Sequence, residues 1–298
     1  MTERAADWLS GVGEEPFFLW VHYFDPHWPY APPSPYGGIR RPPETGYDPA
    51  DLSDIMGIRF RRTPFEKEDE EAFLAAYDGE IAYVDRCLAA LLEAVPEGRL
   101  SRLLLVVAGD HGEGFGEHDY YFDHGDFLWE SGLHVPLILY GPGFLPAGVV
   151  EDASVRLLDV APTILEAAGL PPSRDGEGES LLAAAEGPLA PRVVFSEASK
   201  PWNVEVRGVY QNQYKAKSIR REGWKLVVTP FLDGMELFDL AADPGETRNV
   251  MGREPEIAAD LEAALLAWIR EKNPGFREND LTVGEEIREK LKALGYSR

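Results

Sequence analysis

The sequence predicts an α/β fold, a mainly parallel sheet flanked by helices, followed by a small C-terminal α+β subdomain built on an antiparallel sheet. Three observations carry this expectation. The unbroken apolar run Leu103–Val107 has the length of a strand buried on both faces, and it ends abruptly in the polar residues Asp110, His111 and Glu113. The aromatic and β-branched run Phe17–Phe24 likewise ends in a polar cluster, Asp25 to Tyr30. Beyond Pro191 the character changes: VVFSEA, RGVYQNQYKAKSIRREGWKLVVTP and MELFDL are strand-like runs separated only by turns, with no long helix between them.

Taken in order, Glu3–Leu9 reads as a helix ended by Gly11 and Gly13, and Phe17–Phe24 as a buried strand. The Pro- and Gly-rich stretch 31–49 is an extended loop, with Trp28, Tyr30 and Tyr36 as candidate linings of a substrate entrance. From Lys67 to Val95, apolar residues recur at steps of three and four (Phe73, Tyr77, Ile81, Val84, Leu88, Leu91), the stripe of an amphipathic helix. Leu103–Val107 and Val135–Tyr140 are strands, and LLDVAPTILEAAGL carries a short helix with Pro162 near its first turn and Gly169 at its end. The small, acidic, Pro/Gly-rich stretch 174–191 divides an α/β part, 1–190, from the C-terminal subdomain, 191–298. In that subdomain Pro255–Arg270 forms a covering helix.

Composition narrows the function. With 298 residues, 44% of them hydrophobic, the chain has material for a sizeable core. A net charge of −23, from 29 basic and 52 acidic residues, argues against nucleic acid as a partner. A single cysteine, Cys87, rules out an internal disulfide and reads as a packing residue. No apolar run reaches membrane-spanning length, and the first residues lack the pattern of a secretory signal, so the sequence reads as soluble with its compartment unassigned.

All six histidines lie in the first 134 residues, in or beside the two loops that leave the strand ends. In open α/β sheets ligands bind beyond the carboxyl ends of strands, which makes these loops the candidate site. An Asp followed by His, as in Asp110–His111, can place two ligands on one divalent ion when the backbone turns sharply, and Gly109 and Gly112 permit that turn. His27, enclosed by an indole, a phenol and two prolines, is the candidate substrate-binding or proton-donating imidazole, and His124 can serve from another side. His22 reads as a core histidine; His118 and His134 read as supporting or structural.

These residues fall in blocks that resemble a known family. PFFLWVHYFDPHWPYAPP (16–33), YDGEIAYVDRCLAALL (77–92), GDHGEGFGEH (109–118), HGDFLWESGLHVPLILYGPG (124–143), LLDVAPTILEAAGL (157–170), ELFDLAADPGETRNV (236–250) and the closing LKALGY resemble, in order, the sulfatase family of the alkaline phosphatase superfamily. The resemblance implies an alkaline-phosphatase-like sheet and hydrolysis of a sulfate ester, small-molecule or saccharide. It implies Asp110 and His111 as metal ligands, with calcium the usual ion and Mn2+, Mg2+ or Zn2+ used in related hydrolases. It implies His27 and His124 as the groups beside the ester and leaving oxygens.

One departure is large. The family's Cys-x-Pro-x-Arg or Ser-x-Pro-x-Arg element, whose Cys or Ser becomes the formylglycine nucleophile, is absent from this sequence, as is its early pair of metal-binding aspartates. The simplest account is the C-terminal portion of a sulfatase, inactive alone, with the missing N-terminal half as partner; no motif speaks to oligomeric state. The alternatives are a phosphoester or phosphonate hydrolase or phosphoryl-lipid transferase of the same superfamily, and a non-catalytic paralogue that binds a sulfated ligand.

Overall fold

The computed structural model describes residues 1–40, 44–60, 64–198, 215–232 and 234–272. The predicted strand content of 199–214 and the LKALGY ending lie outside them. The chain forms two compact units, one of residues 1–103, 119–122 and 141–143, the other of 104–118, 123–140 and 144–298.

In the first unit, α1 (Thr2–Ser10), α2 (Leu52–Arg59) and α3 (Lys67–Ala94) are the regular elements. Helix α3 starts where the periodicity places it because Glu66 and Asp69 form a reciprocal capping box that satisfies two orphan N–H groups of the first turn. It stops at Val95, the residue before Pro96, as proline's restriction on its predecessor requires. Phe73 from α3 stacks on Phe122 at 4.6 Å, and Tyr30 and Phe65 meet that pair edge-on, giving an aromatic core. Tyr30 is therefore core rather than a lining of a substrate entrance: it is fully buried. Gly79 lets the 31–38 loop close on α3, since a Cβ there would lie 2.9 Å from the Tyr36 carbonyl oxygen. Residues 17–24 join no ladder among the described residues and alternate residues along them are exposed, so the buried strand expected here is not found among those residues.

In the second unit, β1 (Leu105–Ala108) pairs with β2 (Leu137–Tyr140), separated by the single-turn helix α4 (Glu130–Leu133). The pair is antiparallel and half-exposed, not the doubly buried parallel centre the apolar run suggested; among the described residues both sheets have only antiparallel neighbours. Helix α5 (Val160–Ala167) follows, ended by Gly169 at φ +67°. Then β3 (Val194–Glu197), β4 (Lys217–Arg221), β5 (Trp224–Thr229) and β6 (Gly234–Asp239) form the predicted antiparallel sheet in sequential order, covered by α6 (Pro255–Lys272). Glu222 and Gly223 both take positive φ, the requirement of the tight turn between β4 and β5. No helix among the described residues is long and apolar enough to cross a membrane.

The two faces of this sheet bury different partners. Ile219, Leu226 and Leu237 pack against Leu261, Leu265 and Ile269 of α6. On the other face Val227 and Phe238 pack against Leu128, and Phe127 joins them. The segment between β1 and β2 is thereby seated on the sheet. A buried ion network completes the attachment: Lys225 Nζ lies 2.9 Å from Glu130 Oε1 and 2.7 Å from Glu246 Oε1, and Arg220 reaches Glu130 Oε2 at 2.9 Å. Burial pushes the Glu130 carboxyl up, but Lys225 and Arg220 outweigh it and hold it below the usual range; for Glu246 burial prevails and the carboxyl is raised.

Removing one member of such a cluster strands the others. Lys225→Met is expected to destabilise the chain by roughly 3–5 kcal/mol, because two buried carboxylates lose their shared cation. Urea unfolding of the variant, with Lys225→Met/Glu246→Gln recovering part of the loss, checks this.

Candidate active site

The chain leaves β1 through Gly109, whose N–H donates to the Pro136 carbonyl at 3.0 Å as the last rung beside β2. Asp110 then projects outward, exposed, with Oδ1 accepting the His111 N–H at 3.0 Å. Gly112 is dictated by packing: a Cβ would fall 1.9 Å from the Ser131 carbonyl oxygen, and its N–H donates to Gly132 O at 2.9 Å. The 109–113 turn is thus pinned to the α4 turn, the same turn that Lys225 holds through Glu130.

His111 Nδ1 lies 2.8 Å from the Gly112 carbonyl oxygen. A carbonyl only accepts, so the proton sits on Nδ1 and the neutral ring carries its lone pair on Nε2. That is the tautomer of a metal-ligating imidazole whose other nitrogen is fixed by the backbone. Nε2 stands 3.9 Å from Asp110 Oδ2, a separation one cation could bridge. His124 enters from the other end of the loop and its ring stacks on His111, centroids 3.8 Å apart. Glu113, itself buried, holds His124 Nδ1 at 3.3 Å, and Asp123 Oδ1 accepts the His124 N–H at 2.9 Å. Three residues chosen from sequence, Asp110, His111 and His124, are therefore brought together. Among the described residues no group of three or more His, Cys, Asp or Glu side chains is arranged to hold a metal ion, so the Asp110–His111 pair is two ligands and not a complete set.

Glu113 is the residue sequence reasoning missed. Its only signal is a third acidic or imidazole group in Asp-His-Gly-Glu, and its bond to His124 spans eleven residues. His118, at φ +56°, stacks on Trp129 at 4.2 Å, which stacks on Phe127 at 4.3 Å.

His27 belongs to the first unit. Its Nδ1 lies 2.7 Å from the Trp28 carbonyl oxygen, which fixes the same tautomer as in His111. The ring is flanked by Phe24 at 4.6 Å and Trp28 at 4.8 Å, and the Arg59 guanidinium lies 5.6 Å from the Trp28 ring. The loop is tied to α3 by Glu80, whose Oε1 accepts the Ala31 N–H at 2.7 Å. Glu80 is 4% exposed, and its Oε2 is buried with no hydrogen-bond partner among the described residues. Burial, with a smaller push from Asp25, raises its carboxyl to about 7 against the pull of the Ala31 N–H. Cys87 is buried on α3, as its packing role requires.

The fold is shared with solved sulfatases and a phosphonate monoester hydrolase. A putative sulfatase from Bacteroides thetaiotaomicron superimposes with a TM-score of 0.74 at 21% identity, over 96% of this chain and 66% of that one. A phosphonate monoester hydrolase of Agrobacterium radiobacter gives 0.73 at 24%, over 91% and 60%. BT4656, solved with its substrate D-glucosamine-2-N,6-O-disulfate, gives 0.61 at 24%, over 78% and 48%. The sulfatase family model matches residues 1–170 and the C-terminal model of N-sulphoglucosamine sulphohydrolase matches 116–272, so the chain belongs to the sulfatase family. Bos taurus arylsulfatase K is 27% identical over 90% of this chain and 54% of its own, and a Formosa agariphila sulfatase 30% over 79% and 46%. The chain spans about half the length of the curated relatives it matches.

Glu80 makes stability pH-dependent. Its folded pKa of about 7 exceeds the ordinary 4.5, so its contribution is intact below pH 4.5 and is lost as pH rises through 7. Glu80→Gln keeps the Ala31 bond and removes that loss, so the variant is expected to gain on the order of 2 kcal/mol over the parent between pH 4.5 and pH 8. Paired urea titrations at the two pH values check the difference.

Proposed function

We propose that this chain supplies the leaving-group side and part of the metal site of a sulfate-ester hydrolase, whose nucleophile comes from sulfatase sequence outside these 298 residues. The observation that carries the reading is the convergence of Asp110, His111 and His124 at the end of β1. Asp110, through a carboxylate oxygen, and His111, through Nε2, would hold a divalent ion, calcium in the family's usual case. Such an ion, when bound, draws charge from the sulfuryl oxygens. His124, with Nδ1 held by Glu113, presents Nε2 to give a proton to the departing alkoxide; Glu113 stabilises the imidazolium that precedes the transfer. His27, with Nδ1 fixed on Trp28 O, is suited to the same task or to a hydrogen bond on a sulfate oxygen.

BT4656, solved with a sulfated glucosamine as its substrate, supports a sulfated saccharide as the substrate class. A second reading, hydrolysis of a phosphonate or phosphate ester, draws on the likeness to the phosphonate monoester hydrolase. Formylglycine has no precursor motif in this chain, and its one cysteine is buried on α3. Two ligands are too few for a hard divalent ion that takes six or more. Weak metal binding and no turnover are therefore expected of the chain alone.

Titration with Mn2+ should broaden the imidazole NMR signals of His111 and His124, and Asp110→Asn should weaken the effect at least tenfold; unchanged broadening in that variant sinks the metal assignment. With calcium added, 4-nitrophenyl sulfate and a phenylphosphonate ester are both expected to survive. Turnover of either would show that the chain carries its own nucleophile, and which ester reacts would choose between the two readings.

A further inference from the structure

The loop that carries His27 is seated on α3 along a seam of rings and prolines. Tyr30 meets Phe73 and Tyr77 edge-on at 6.4 and 5.8 Å, and Tyr36 meets Tyr83 at 5.6 Å. Gly79 admits Pro32, whose side chain would lie 3.0 Å from a Cβ there. At the next residue of α3 the seam turns polar. Buried Glu80 accepts the Ala31 N–H on Oε1 at 2.7 Å, and its Oε2 is enclosed without a hydrogen-bond partner among the described residues. His27 stands a few residues before Ala31 with Nδ1 on the Trp28 carbonyl, so the pose of its ring depends on how this short stretch is seated.

The seam suits a neutral carboxyl and not a carboxylate. Protonated, Glu80 leaves one hydrogen bond unmade; ionised, it leaves a buried charge with a single N–H donor and a bare oxygen, the larger cost. The charge that acts on it from the loop is Asp25, of like sign. Tyr23 and Tyr83 lie in the same field and stay neutral, both raised above 10.0, Tyr23 chiefly by burial and Tyr83 chiefly by its hydrogen bond with Cys87. Arg40, farther along the loop, is paired with Asp78 of α3 at 3.3 Å. An ionised Glu80 therefore needs water at Oε2. Helix α3 is continuous from Lys67 to Ala94 and cannot yield locally, whereas the loop can lift. We propose that neutral Glu80 is a positioning residue for His27: it seats residues 27–31 on α3, and its ionisation lifts them and frees the imidazole to turn. The proposal rests on the assignment of His27 to the ester and adds the group that aims it.

Amide exchange followed by NMR on the 298-residue chain tests this without substrate. Protection of the Ala31 and Tyr30 amides, corrected for the intrinsic rate, is expected to fall about tenfold per pH unit between 4.5 and 7 and to level off above, because the seated form loses its proton at about 7 and the lifted form at the ordinary 4.5. The Phe73 amide within α3 should stay protected, which separates lifting from global unfolding. Glu80→Gln keeps an acceptor for Ala31 and should hold the protection flat; comparison with the parent removes whatever Asp25 and His27 contribute. Long-range 1H–15N spectra at pH 8 then read the ring: Glu80→Gln is expected to keep the His27 proton on Nδ1, and the parent to show the Nε2–H tautomer as well. A parent profile that is flat, or that Phe73 shares, overturns the proposal without any variant. So does a Glu80→Gln profile equal to the parent's, or a His27 tautomer that is the same in both. If the loop responds as expected but His27→Ala leaves the binding of D-glucosamine-2-N,6-O-disulfate unchanged, the ester assignment of His27 fails and the positioning role of Glu80 stands.

Discussion

The second unit depends on the burial of Lys225. An ammonium taken out of water is tolerated only against opposite charge, and here it draws Glu130 from the α4 turn and Glu246 from beyond β6 onto β5. Because the Glu130 N–H also donates to Glu246 Oε2 at 2.6 Å, the α4 turn is fixed by its backbone as well as its side chain. The same turn supplies Ser131 and Gly132, against which Gly112 closes. A chain of contacts therefore runs from the sheet, through one lysine, to the loop that holds His111 and His124. The antiparallel sheet is a buttress for candidate chemistry that lies elsewhere in the sequence, which is one physical reason for the β1–β2 segment and the C-terminal sheet to fall in one compact unit.

Orientation of the candidate imidazoles in each unit is achieved by the backbone more than by side chains. His27 and His111 each lodge Nδ1 against the carbonyl of the next residue, so a neutral ring at either position has its lone pair on Nε2. His124 differs in using a carboxylate, Glu113, which suits a ring that must carry charge during proton transfer. The proposed metal ligand His111 and the proposed proton donor His124 thus differ in how their rings are fixed.

Much of this was legible where the signal is local. The length of α3 follows from its stripe and α6 from its apolar face, whereas the turn at Glu222–Gly223 divides a run that reads as one strand. Asp110 and His111 stood out because glycines flank them at a strand end. What was not legible depends on distant partners. Helix α2 was missed although Asp51 caps it through Ser53, because eight residues with Gly57 inside make too weak a pattern. Phe17–Phe24 is apolar on both sides, so sequence could not say that one side would be left in water. Glu113 and Lys225 look like surface charges until a fold supplies the carboxylates and imidazole that hold them.

Net charge sets the remaining constraint. At −23 the chain repels a sulfate ester at long range, though salt confines that repulsion to distances of about 8 Å at physiological ionic strength. Capture must therefore come from positive charge placed within that distance of the ester. In the second unit, Arg220 and Lys225 are paired with Glu130 and Glu246, and an ion held as proposed by Asp110 and His111 would add charge beside the imidazoles. In the first unit, Arg59 lies over the indole beside His27. An acidic protein that takes an anionic substrate needs its cations concentrated at the reacting group, and a divalent ion supplies the most charge in the least space. An ion held as proposed by Asp110 and His111 would place charge in that way.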